Sequence, residues 1–156
     1  MNIVPANESH IPGMIRLLQQ VGQVHHDIRP DIFRNGAQKY DEAALKELLK
    51  DPSRPIFIAE GAEQVLGYCF CIHKNYTGDP VLADRKELYI DDLCVEESCR
   101  NMGIATALYR HATEYAKRSG CQFITLNLWA GNDSALRFYE HMGLTPRSTT
   151  MESKLC

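Results

Sequence analysis

The junction Leu93 to Thr106, LCVEESCRNMGIAT, constrains this chain more than any other stretch. A β-rich run from Glu87 to Val95 feeds a short polar loop, and Gly103 then opens a helical pattern through Ile104, Leu108, Ala112 and Tyr115. A strand must therefore end where a helix begins. Arg100, Gly103 and Ala105 punctuate the junction as Arg-x-x-Gly-x-Ala, where small residues let main-chain N–H groups approach a ligand closely. The first amides of a helix lack internal partners, and the macrodipole adds partial positive charge there. A diphosphate suits such a place. An ordinary tight turn is the competing reading. The loop has neither the Gly-Lys-Ser/Thr ending of a P-loop nor the three glycines of the dinucleotide fingerprint.

Length bounds the rest. A chain of 156 residues reads as a single domain, 1-156, able to hide roughly 70% of its unfolded surface. Its 17 basic and 20 acidic side chains are mixed along the sequence, so no basic stripe points to nucleic acid. MNIVPANES has no basic or apolar leader pattern, and no apolar run nears the ~20 residues that span a bilayer. The expectation is a cytoplasmic protein with no membrane partner and reduced cysteines. Cys69, Cys71 and His73 alternate on one strand face, but a fourth ligand is missing and no metal is expected.

In chain order, Met1 to Pro5 reads as an edge strand. Ser9 can cap a helix carrying Ile11, Ile15, Leu18 and Gly22, whose pattern decays at His25 before Pro30. Asp41 can cap a second helix with Ala44, Leu45, Leu48 and Leu49 on one face. IFIAE and VLGYCFCIH form a hairpin across Gly61 to Gln64, and Asn75 to Arg85 is an excursion before ELYIDDLCV. The organising helix runs to Ser119 with Gly120 as its stop. QFITLNLW is a further strand, Asn132 or Asp133 caps a helix closed by Gly143, and Ser148 to Lys154 alternates as a last strand. This order predicts an α+β arrangement with a mixed sheet.

The junction, YIDDLCV before it, and NDSALRFYEHMG from Asn132 to Gly143 together resemble the GNAT superfamily of acetyl-CoA-dependent N-acetyltransferases from about Ile56 onward. The resemblance implies a mixed, mostly antiparallel sheet flanked by helices, with splayed fourth and fifth strands. It implies acetyl-CoA as cosubstrate, with pantetheine amides on the backbone of Leu93, Cys94 and Val95. The pyrophosphate would lie on Arg100, Asn101, Met102, Gly103, Ile104, Ala105 and Thr106, with Asn132 a further cofactor-binding residue and Tyr139 facing the thioester sulfur. LYIDDL is also similar to a segment of certain protein N-terminal acetyltransferases, in which the tyrosine at the position of Tyr89 helps deprotonate the amine through water. Their assisting histidine is replaced here by Asn127, which is no base.

The reaction sets its own demands. Deprotonating a lysine-like amine at pH 7 costs about 4.6 kcal/mol, against about 1 for an α-amine. Proton donation from an unperturbed tyrosine to a thiolate is uphill by ~2 kcal/mol, so Tyr139 is expected to act mainly by hydrogen bonding. Strand alternation would put Tyr89, Asp91, Leu93 and Val95 on one face, and Leu88, Ile90, Asp92 and Cys94 on the other. Tyr89 and Asp91 are the candidates for proton removal and ammonium attraction. Phe33, Asp91, Asn127 and Trp129 are the candidates for the acceptor site, and His25 and His26 for its wall. The acceptor is a primary amine of a small molecule or peptide. The rival reading is a CoA-binding regulatory or sensor module without turnover.

Overall fold

A computed structural model describes residues 1–156. Five strands, β1 (Asn2–Pro5), β2 (Ile56–Glu60), β3 (Val65–Tyr76), β4 (Arg85–Val95) and β5 (Phe123–Leu126), form one sheet in sequence order. The first four pair antiparallel, whereas β4 and β5 run parallel. Helices α1 (Ile11–Ile28) and α2 (Glu42–Leu49) cover one face, and α3 (Ile104–Arg118) and α4 (Asp133–His141) belong to the other.

Two apolar cores follow from the two-residue period of the strands. Tyr68 and Phe70 of β3 meet Met14, Leu17 and Leu18 of α1 and Leu45 of α2. Cys69 and Cys71, one residue out of phase, meet Leu108, Ala112 and Ala116 of α3. Gly67 permits this packing, because a Cβ there would lie 2.9 Å from the Cys94 carbonyl oxygen and 3.0 Å from a Leu108 methyl.

Local chemistry moved several expected boundaries. Asn7, not Ser9, is the first cap: its side chain accepts from the Ser9 amide and opens a 3-10 turn over Glu8–His10, after which α1 starts at Ile11. The α1 helix also continues past His25 to Ile28. His25 stacks on Phe33 at 4.9 Å, and His26 Nδ1 lies 2.7 Å from the Phe33 carbonyl, so both histidines find partners in helical geometry. The second strand of the hairpin runs on to Tyr76, shortening the excursion. QFITLNLW is a strand only through Leu126, which leaves Asn127 and Trp129 beyond it rather than on a shared strand face. Ser148 to Lys154 pairs with no strand; two ion pairs, Arg147 with Glu87 and Glu152 with Arg29, hold the segment instead.

The most consequential correction is in β4. Phe70 pairs with Asp92 but Cys71 pairs with Ile90, so Asp91 is an extra residue and the strand bulges. Alternation reverses at that point. Leu88 and Ile90 face α3, as do Leu93 and Val95, while Tyr89, Asp91, Asp92 and Cys94 lie toward α1 and α2. The two acids therefore do not point to opposite faces.

Candidate active site

Pairing between β4 and β5 stops at Ile90 and Leu126. Beyond the unpaired Asp91, residues Asp92 to Val95 have β3 on one edge and no strand on the other, so the two strands part. This gap opens toward the loop that enters α3.

That loop holds the main-chain donors. Asn101 has φ 64° and Gly103 has φ 79°, two left-handed residues that turn the chain into the helix. The first α3 bond is Ala107 N–H to the Gly103 carbonyl. The amides of Asn101, Met102, Gly103, Ile104, Ala105 and Thr106 donate to no group of the chain. A Cβ on Gly103 would meet nothing within 4 Å, so the space above these donors is open. Arg100 and Met102 are exposed, whereas Ile104 is buried and anchors the helix. The start of the loop is fastened to α1: Arg16 Nε donates to Glu96 at 3.0 Å, and Gln20 donates to the same carboxylate at 2.9 Å.

Tyr139, on the last full turn of α4, packs between Tyr109 and Phe138 against the α3-side core. Its hydroxyl has no hydrogen-bond partner within the chain, and burial raises its pKa well above the ordinary tyrosine value. The group thus stays a donor at neutral pH. Asn132, four residues before Arg137's neighbour Leu136, caps α4 with its side-chain oxygen accepting from Ala135 N–H at 3.3 Å. Cys94 sends its thiol into the α1-side core, leaving only its backbone at the gap.

The acids differ in state. Asp91 accepts from Lys39 Nζ at 2.9 Å and from the Tyr40 hydroxyl at 2.7 Å, so its charge is already partnered. Asp92 accepts from the Tyr68 hydroxyl at 2.7 Å, and burial pushes its pKa up to about 6. Tyr89 has Lys74 Nζ 3.9 Å from its ring centre; burial, then the Asp91 charge, raises its pKa. Phe33 meets Trp129 edge-on at 5.0 Å, which brings the end of α1 to the chain beyond β5. Asn127, just past the end of β5 and two residues before Trp129, is exposed and makes no side-chain hydrogen bond. Sequence reasoning put Tyr89 and Asp91 ahead of Asp92; the bulge that reorients Asp92 has no signal in alternation.

A family model described as Acetyltransferase (GNAT) family matches residues 22–144. The chain belongs to the GNAT acetyltransferase family. An uncharacterised N-acetyltransferase of Methanocaldococcus jannaschii is 28% identical over 106 residues, a match covering 68% of this chain but only 46% of that protein. N-alpha-acetyltransferase 30 of Schizosaccharomyces pombe is 24% identical over 130 residues, 83% of each chain. A mutant of the BH1408 protein from Bacillus halodurans superposes with a TM-score of 0.95 at 27% identity, covering all of both chains. An aminoglycoside N-acetyltransferase crystallised with CoA shares the fold, with a TM-score of 0.72 at 15% identity over 99% of this chain and all of its own. The splayed fourth and fifth strands are thus the GNAT arrangement, and the family's chemistry is acyl transfer.

Proposed function

We propose that this GNAT protein transfers the acetyl group of acetyl-CoA to a primary amine. The observation that carries the reading is the run of six unpartnered amides, Asn101 to Thr106, at the N-terminus of α3 where β4 leaves β5. These donors and the open space at Gly103 fit a diphosphate, with Arg100 adding an exposed cation. The free edge from Leu93 to Val95 fits the amides of a pantetheine arm. Bound acetyl-CoA would supply an activated thioester; the protein supplies position and proton management.

On the leaving side, the Tyr139 hydroxyl donates a hydrogen bond to the departing sulfur while keeping its proton. On the acceptor side, Asp92 is the base. With a pKa near 6 it is mostly ionised at pH 7 yet basic enough to take a proton, which is the compromise general-base catalysis favours. Tyr89, whose hydroxyl has no partner in the chain, orients the amine or an intervening water. Asp91 holds Lys39 and Tyr40 at the rim and adds negative potential next to Asp92. Phe33, Asn127 and Trp129 wall the acceptor side.

The test is free-thiol release from acetyl-CoA across a panel of amines, paired with calorimetric CoA binding. Amine-dependent release supports the transferase. Tight CoA binding without release under any amine would instead favour a binding module.

A further inference from the structure

The acceptor-side face of the sheet carries its charges unevenly. Its carboxylates are already answered. Asp91 is paired with Lys39. Glu87, with its side chain 2% exposed, accepts from Arg147 at 2.7 Å and from Thr125 at 2.9 Å; burial alone would raise its pKa, but these bonds hold it below the ordinary value. Asp92 is the base of the proposed reaction and is neutral for part of the cycle.

The cations are in surplus. Arg85 Nε lies 2.8 Å from the Glu87 oxygen that Arg147 also uses, but out of line for a hydrogen bond, so this buried nitrogen pairs with the carboxylate by charge alone. The Arg85 guanidinium rests 3.8 Å from the Phe123 ring centre. Lys74, half-buried over Tyr89, enters no ion pair. Arg85 and Arg147 therefore share the one Glu87 carboxylate, and Lys74 stands unpaired beside a tyrosine of the acceptor site.

Resting on the transferase reading, we propose that the acceptor amine also carries a carboxylate, and that Lys74, supported by Arg85, receives it. Lys74 Nζ stands 3.9 Å from the ring centre of Tyr89, the residue that meets the amine or its water, so the carboxylate of the acceptor must lie close to its amine. The matching acceptors are a dipeptide or a peptide N-terminus followed closely by an acidic side chain. A polyamine would instead press a second ammonium against Lys74, and such repulsion is itself a source of specificity.

The experiment measures kcat/KM by thiol release for the full chain at saturating acetyl-CoA. The acceptors are Ala-Glu, the neutral Ala-Gln amide, a hexapeptide beginning Ala-Glu, its Ala-Gln counterpart, and spermidine. Acidic acceptors are expected to exceed their neutral partners by at least tenfold, with spermidine below both, and the ratio should fall as salt is raised. A gain in the dipeptide pair points to small acceptors, and one confined to the hexapeptides points to protein N-termini. Lys74→Glu should bring the acidic-to-neutral ratio to one or below, mainly through KM, and Lys74→Gln should give an intermediate ratio. Thermal melting confirms that each variant is folded. A preference of the wild type for spermidine, or an unchanged ratio in folded Lys74→Glu, overturns the inference while leaving amine acetylation standing. Absence of thiol release with every amine overturns both.

Discussion

Asp92→Asn is expected to slow turnover and to raise thermal stability, two effects of one electrostatic cause. The Asp92 carboxyl moves from an ordinary 3.8 to about 6 in the folded chain because burial disfavours its charge. Above pH 6 the folded protein carries that charge at a cost of ~3 kcal/mol relative to the unfolded chain. Between pH 6 and 4 the folded state takes up the proton first, so this group's penalty fades as pH falls, and below about 4 it is absent. Asparagine keeps an acceptor for the Tyr68 hydroxyl and never ionises. The variant should therefore gain about 2 to 3 kcal/mol at pH 7, or roughly 5 to 10 °C in Tm, and almost nothing at pH 4. Losing the base should lower kcat about 100-fold or more and abolish the acid limb of kcat/KM near pH 6. Melts at pH 4 and 7, with thiol release from pH 5 to 9, measure both. An acid limb unmoved in Asp92→Asn at wild-type turnover would refute the assignment. A lowered Tm at pH 7 would refute the electrostatic account.

Three further outcomes follow from the geometry. Gly103→Glu should weaken CoA binding by more than 100-fold in calorimetry, since it puts a side chain and a negative charge into the open space above the amides, and strains a residue at φ 79° by about 1 to 2 kcal/mol. Unchanged affinity in the folded variant would remove the central claim. Tyr139→Phe takes away a hydroxyl with no partner in the chain, so turnover should fall roughly 10- to 100-fold with acetyl-CoA affinity kept; wild-type turnover would make the tyrosine a packing residue. Leu108→Ala, at a fully buried position of the α3-side core, should cost about 3 kcal/mol and lower Tm by roughly 10 °C in a melt.

The elements were legible where local chemistry decides them. The Arg-x-x-Gly-x-Ala loop, the two-residue periods of β2, β3 and β4, and the caps at Asp41 and Asn132 need only neighbouring residues to act. They placed the fold and the strand-to-helix junction correctly. Where a partner far along the chain competes with a local rule, the reading shifted. His25 and His26 sit in helical geometry with Phe33 folded back upon them, and the final segment, which pairs with no strand, meets Arg29 through Glu152 and follows the Arg147–Glu87 pair.

The acids of β4 show the division most sharply. Residues 91 and 92 read as a solvated acid beside a core-facing one, or the reverse, and alternation offers no third choice. Register against β3 supplies one: a single unpaired residue at Asp91 turns both acids to the same side. Asp91 then reaches Lys39 and Tyr40, 52 and 51 positions away, while Asp92 is buried against Tyr68. Composition determined that acids stand here, because side-chain identity is local information. Which acid meets a cation, and which is buried with a raised pKa, was decided only by tertiary structure, because desolvation and ion pairing depend on what the rest of the chain packs around them.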